Sequence, residues 1–159
     1  MKKILVLLTF LILIAAPVYA QKEIIKPEIS AEEIPDTLFG SWRVIAKLDS
    51  TNSYSIFKPQ SAYIWNIYKS GNAITLQNYY TGVKANISIK VVEGSLIVFS
   101  KINPYDNKIY TDTITIRLDG DRFTGINTAV LESFSLIDNH LMKTEIARYH
   151  IKGERINSL

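Results

Sequence analysis

The sequence contains no cysteine. No disulfide can hold the fold, no thiol can serve as nucleophile or metal ligand, and stability has to come from packing. Imidazole is almost as scarce. His140 and His150 are the only histidines, and neither stands with other ligands at metal-binding spacing. Glycine and proline are few, 7 and 5 residues, and they form neither a Gly-rich phosphate loop nor a nucleophile elbow. The acidic Asp119-Gly120-Asp121 run suggests calcium at first sight, but Asp-Gly between alternating segments reads as a hairpin turn. With no catalytic constellation, the expectation is a non-enzymatic protein without metal or cofactor.

One long apolar run is present, from Ile4 to Ala16. It follows Met1-Lys2-Lys3 and precedes Pro17-Val18-Tyr19-Ala20-Gln21. A basic start, a short apolar core and a small-residue Val-x-Ala site have the form of a cleaved signal peptide over residues 1–20, and an uncleaved anchor is the alternative. The expected address is exported, periplasmic or secreted, with no membrane anchor after cleavage. Lipidation would need a cysteine after the cut. Cleavage leaves about 139 residues, the size of one domain. It also removes two lysines, leaving roughly 16 basic against 15 acidic residues. The basic residues are scattered among acids, which argues against nucleic acid as a partner.

Residues 21–37 are polar, acidic and punctuated by Pro27 and Pro35. They read as a flexible leader, with Ser30-Ala31-Glu32-Glu33 able to cap a helical turn before Pro35. The domain is expected over 38–159. It opens on Gly40-Ser41-Trp42, where Trp42, Val44, Ala46 and Leu48 alternate with Arg43, Lys47 and Asp49 in the pattern of a half-buried strand. Further alternating segments follow at short spacing. Turn signals stand at Ser70-Gly71-Asn72, Thr81-Gly82, Glu93-Gly94, Asn103 to Asn107 and Asp119-Gly120, and the last strand runs from about Met142 to Lys152. Glu132 to Leu141 is ambiguous between a loop and a further short element.

About eight strands with short connections form an antiparallel up-and-down meander. Such a sheet leaves two unpaired edges unless it closes on itself, so an all-β barrel is expected, with a β-sandwich as the alternative. The segment Asp49 to Ser61 is the longest connection and the candidate lid.

Gly40-Ser41-Trp42 heading the first strand of a meander, with an arginine near the chain's end, resembles the lipocalin superfamily. The resemblance implies a closed barrel in which the indole plugs one end and a late arginine packs across it. In a closed barrel the start of the first strand lies beside the end of the last, which favours Arg155 over Arg148 as that partner. Gly40, Trp42 and Arg155 are thus the candidate closure residues.

For a ligand, the aromatic side chains in and beside the strands are the candidates: Tyr63, Trp65, Phe99 and Phe123 inside, with Tyr54 and Phe57 at a mouth under the lid. Core filling is the alternative for each of them. Arg148 would meet an anionic ligand group if its face points inward. Ala147, Tyr149 and Ile151 form the more apolar face, which favours an outward Arg148. The expected partner is a small apolar or amphipathic, lipid-like molecule. The alternative is a filled barrel that binds protein or glycan through exposed tyrosines such as Tyr79, Tyr80 and Tyr105.

Overall fold

The computed structural model describes Ile29 and residues 33–156. Eight antiparallel strands run in sequence order: β1 Gly40–Thr51, β2 Gln60–Ser70, β3 Ala73–Asn78, β4 Lys84–Glu93, β5 Leu96–Tyr105, β6 Lys108–Asp119, β7 Arg122–Phe134 and β8 Leu141–Arg155. Each pairs with the next and β8 pairs with β1, so the sheet is a closed up-and-down barrel and not a sandwich. The signal peptide and most of the leader expected from the sequence lie outside the described residues.

The alternation that suggests strands also sorts the core. In β1, Trp42, Val44 and Ala46 are buried while Arg43 and Lys47 are exposed. In β6 the inward face runs Asp112, Ile114, Ile116, Leu118, and in β8 it runs Glu145, Ala147, Tyr149, Ile151, Gly153. Closure pairs Trp42 with Arg155 at one end of the seam and Thr51 with Ala147 at the other, with an irregularity between Leu48 and Ser50.

The two ends of the barrel are built differently. At one end β2–β3, β4–β5 and β6–β7 are joined by two-residue hairpins after Ser70, Glu93 and Asp119. Each of these opens on a glycine in the left-handed region, Gly71, Gly94 or Gly120, as so tight a reversal needs. At the other end the connections 52–59, 79–83 and 135–140 are longer, and only Asp106-Asn107 is a two-residue turn.

Several boundaries differ from the sequence reading. β5 runs through Asn103-Pro104-Tyr105 and the turn is confined to Asp106-Asn107, with Asp106 at φ 45. Pro104 is tolerated because it stands next to last in its strand, where the ladder is ending. The ambiguous Glu132–Leu141 stretch divides into the end of β7, a loop over 135–140 and the start of β8. β8 continues through Gly153-Glu154-Arg155. Gly153 faces inward, and a Cβ there would lie 2.1 Å from the Phe123 ring.

The expected leader is also shorter than 21–37. A 3-10 turn over Asp36–Leu38 follows Pro35, and Ile34 and Leu38 are buried in the core. These two apolar residues cover the closed end of the barrel, so the domain begins before residue 38. Of the helical turn expected over Ser30 to Glu33, the first three residues lie outside the described region.

That closed end is sealed by Trp42 and Arg155. The indole is fully buried and donates from Nε1 to the Leu38 carbonyl at 3.0 Å. The Arg155 guanidinium lies 4.3 Å from the indole ring centre. Its Nε donates to Asp121 Oδ1 at 2.9 Å, its Nη1 to the Phe39 carbonyl at 2.8 Å and its Nη2 to the Thr37 carbonyl. One side chain thus ties the 3-10 turn, the β6–β7 hairpin and the indole together, combining charge-assisted hydrogen bonds with a cation–π contact. Gly40 makes room for it: at φ 127, a Cβ there would stand 2.6 Å from Nη1.

Candidate functional site: the open-end cleft

Above the seal the aromatic side chains stack in a column. Trp42 meets Phe123 at 5.1 Å between ring centres, Phe123 meets Trp65 at 6.1 Å and Trp65 meets Tyr63 at 6.3 Å. The column fills the lower half of the barrel and stops at Tyr63. Beyond Tyr63 the interior opens into a cleft of about 730 Å³ beneath the 52–59 loop. Its apolar wall includes Phe57, Tyr63 and Leu131, and its polar groups include the Tyr110 and Tyr149 phenols with Lys58 and Lys108. Apolar walls with a few fixed polar groups are what a small-molecule site requires.

A second, deeper chamber of about 280 Å³ shares Tyr63, Tyr105 and Tyr110 with the cleft and reaches down to Trp65. Its wall is polar on one side. Lys101 of β5 and Asp112 of β6 are direct cross-strand partners, both inward, with Nζ 2.6 Å from Oδ2. Asn127 of β7 donates from Nδ2 to Asp112 Oδ1 at 3.0 Å. The Asp112 side chain is 4% exposed, so the ion pair and the amide bond together offset the cost of keeping a carboxylate inside the barrel. Tyr110 is pushed far above the ordinary tyrosine value by burial first, then by the charge and hydrogen bond of Asp112. Tyr149 is shifted the same way, again chiefly by burial. Both phenols therefore keep their protons at physiological pH, that of Tyr110 engaged by Asp112.

The loop over the cleft is tied at its base. Thr51 Oγ1 donates to the Ile146 carbonyl at 2.7 Å, and the Asn52 amide both donates to Thr144 O at 3.2 Å and accepts from Ile146 N at 2.7 Å. Ser53 Oγ donates to Glu145 Oε1 at 2.6 Å, an inward carboxylate that also accepts from Lys143 Nζ at 2.7 Å. Those bonds, Lys143's first, hold the Glu145 carboxyl below the usual range. The loop then turns Phe57 into the barrel, where it is buried, and leaves Tyr54 and Ile56 facing solvent.

Among the residues expected to touch a ligand, the structure brings Phe57, Tyr63 and Trp65 to the cavities. The other four line neither cavity, and of these Arg148 takes the outward orientation that the sequence favoured. Phe99 and Phe123 are fully buried in the packed half and line neither cavity. Tyr54 is 75% exposed at the loop tip. Arg148 points outward, because its parity is that of Ile146 and His150, and it pairs with Asp49 at 3.7 Å. The sequence reading missed Tyr110, Asp112, Lys101, Asn127 and Tyr149. Extending the parity of Ile114, Ile116 and Leu118 two and four places back would have turned Asp112 and Tyr110 inward.

Every large exposed hydrophobic side chain among the described residues stands at or near the open end. The three longer connections there contribute Tyr54 and Ile56, Tyr79 and Tyr80, and Leu136 and Ile137, and the end of β5 contributes Tyr105. Among the described residues no group of three or more His, Asp or Glu side chains could hold a metal ion. No helix among them is long and apolar enough to cross a membrane.

No family model, no curated protein and no solved structure matches this chain.

Proposed function

We propose that this chain is an exported, non-enzymatic binding protein that holds a small apolar or amphipathic molecule in the open-end cleft. The observation that carries the reading is the cleft itself: about 730 Å³ of space under a tied loop, apolar on one side and provided with phenols and lysines on the other. The apolar body of a ligand fits against Phe57, Tyr63 and Leu131. Its polar end fits Lys58, Lys108 and the phenols. The Met1 to Gln21 pattern supports export. The meander, its closure and the Arg155–Trp42 contact support the likeness to the lipocalin superfamily, but a fold alone does not choose a ligand.

Native mass spectrometry of protein purified from its own source tests the reading. A co-purifying adduct of lipid size, lost on treatment with organic solvent, is the expected result. Failure to find an adduct, together with failure of 1-anilinonaphthalene-8-sulfonate to bind the purified protein, would reject it.

The exposed rim favours a second reading, a protein- or glycan-interaction module of the cell envelope. Tyrosine-rich apolar tips around one end are suited to such a surface. Replacing Tyr79 and Tyr80 by serine separates the two, because it removes rim area while leaving Phe57 and Tyr63 in the cleft.

A further inference from the structure

The β7–β8 hairpin outreaches the strand that closes the barrel beside it. β8 continues for six residues past the Ala147–Thr51 pair, back to Leu141, or about 20 Å along a strand. The apex of this hairpin carries Leu136 and Ile137, 85% and 97% exposed. Neither side chain builds the turn, whose backbone is satisfied from within. Ser135 N donates to the His140 carbonyl at 2.9 Å, Asn139 N to the Ser135 carbonyl at 3.0 Å and Ile137 N to Ser135 Oγ at 3.2 Å. Asn139 supplies the left-handed residue at φ 56. Turns ordinarily fill such wet positions with polar residues. Two adjacent aliphatic side chains there are a cost in water that only a partner relieves.

Two observations say what kind of partner fits. Apolar side chains recur on the other long connections, Tyr54 and Ile56 on 52–59 and Tyr79 and Tyr80 on 79–83, so they ring the mouth as separate tips. A folded partner would need a matching hollow for each tip, whereas a bilayer is uniform in its plane and yields wherever one enters. Tyrosine is also the side chain suited to the headgroup level. Charge points the same way. Exposed Lys58, Lys84 and Lys108 stand against Asp106, Asp138 and the half-buried Glu132, and Lys143 is held by Glu145 at 2.7 Å. A rim so nearly balanced complements a zwitterionic surface and offers no field to a strongly charged partner. We propose that the open rim docks on a lipid bilayer, with Leu136 and Ile137 entering the acyl boundary and the tyrosines lying among the headgroups. Asp138 and His140, 2.6 Å apart, follow directly in the chain and confine the entry to the apex.

The proposal goes beyond the binding reading and does not require the cleft to be filled. Its test is co-sedimentation with phosphatidylcholine vesicles, using native protein and variants expressed in and purified from their own source. The native protein is expected to bind, and Leu136→Ser with Ile137→Ser to bind at least about a hundredfold more weakly, as two aliphatic side chains returned to water are worth. Neither residue lines the cleft, so the paired variant should bind 1-anilinonaphthalene-8-sulfonate as the native protein does. Tryptophan reports which end meets the lipid, since Trp42 and Trp65 are buried inside the barrel. In vesicles of brominated phosphatidylcholine, Ile137→Trp emission should be quenched. Asn72→Trp, in the β2–β3 turn at the closed end, should not be quenched. No binding by the native protein overturns the proposal and leaves the rim to a protein or glycan. Undiminished binding by the paired variant, or quenching at 72 as strong as at 137, puts the contact elsewhere and overturns it too. So does binding that needs phosphatidylglycerol and disappears in about 0.5 M salt, because charge is then the cause. The quenching comparison stands even if the serine pair does not fold.

Discussion

The two ends of this barrel carry out opposite tasks with similar residues. At the closed end an indole, a phenyl ring and a guanidinium are packed without space, and the hairpins are as short as hairpins can be. At the open end tyrosines, lysines and a buried carboxylate surround empty volume, and each of the three longer connections exposes apolar side chains. The difference teaches where stability and function divide. Below Trp65 the rings of Trp42 and Phe123 are fully buried against one another. Above it, polar groups are arranged around a space that no side chain fills.

Substitutions sharpen that division if their effects fall steeply from one end to the other. Trp42→Ala should have the largest effect, about 3–5 kcal/mol in a denaturant melt, because a fully buried indole leaves a cavity. A near-neutral result would break the comparison at its base. Gly153→Ala should come next, at about 1–3 kcal/mol, since the new methyl has to displace the Phe123 ring.

Midway up the barrel the effect depends on pH. Tyr110 holds its proton more tightly in the folded state than in the unfolded chain. Its contribution is complete below the ordinary tyrosine pKa of about 10 and is lost as pH rises past it. Stability should decline on the alkaline side, with less phenolate absorbance before unfolding than full ionisation of its tyrosines would give. Tyr110→Phe should flatten that decline. The smallest effect is expected at the rim. Leu136→Ser with Ile137→Ser should change stability by no more than about 0.5 kcal/mol, since both side chains are almost wholly exposed. A large loss there would mean that the rim is structural.

How much of this could be read from the residues depended on which end they occupy. The meander and its closure followed from alternation and turn chemistry, because a strand with one wet face writes its period into the chain. Arg155 was reached by adding closed-barrel topology to the resemblance, which implied a late arginine across the indole. The cleft was not. Lys101, Asp112 and Asn127 point inward, but charged and amide residues look like surface residues when read one at a time. Only their pairing across β5, β6 and β7 shows that they satisfy one another inside. Phe99 and Phe123 failed in the opposite way: an inward aromatic looks the same in sequence whether it fills a core or borders a cavity. Arg148 shows the limit of parity, which puts a side chain on one face or the other but does not name its partner Asp49.

The Arg155–Phe39 contact joins positions 116 apart in the chain. During synthesis that bond cannot form until the final strand has left the ribosome, so β1 must wait with one edge unpaired while its neighbours zip up behind it. Contacts at such sequence distance slow folding and lengthen the exposure of sticky edges. A product that stops short of β8 would be left as an open sheet with two reactive borders, a substrate for aggregation or for a protease.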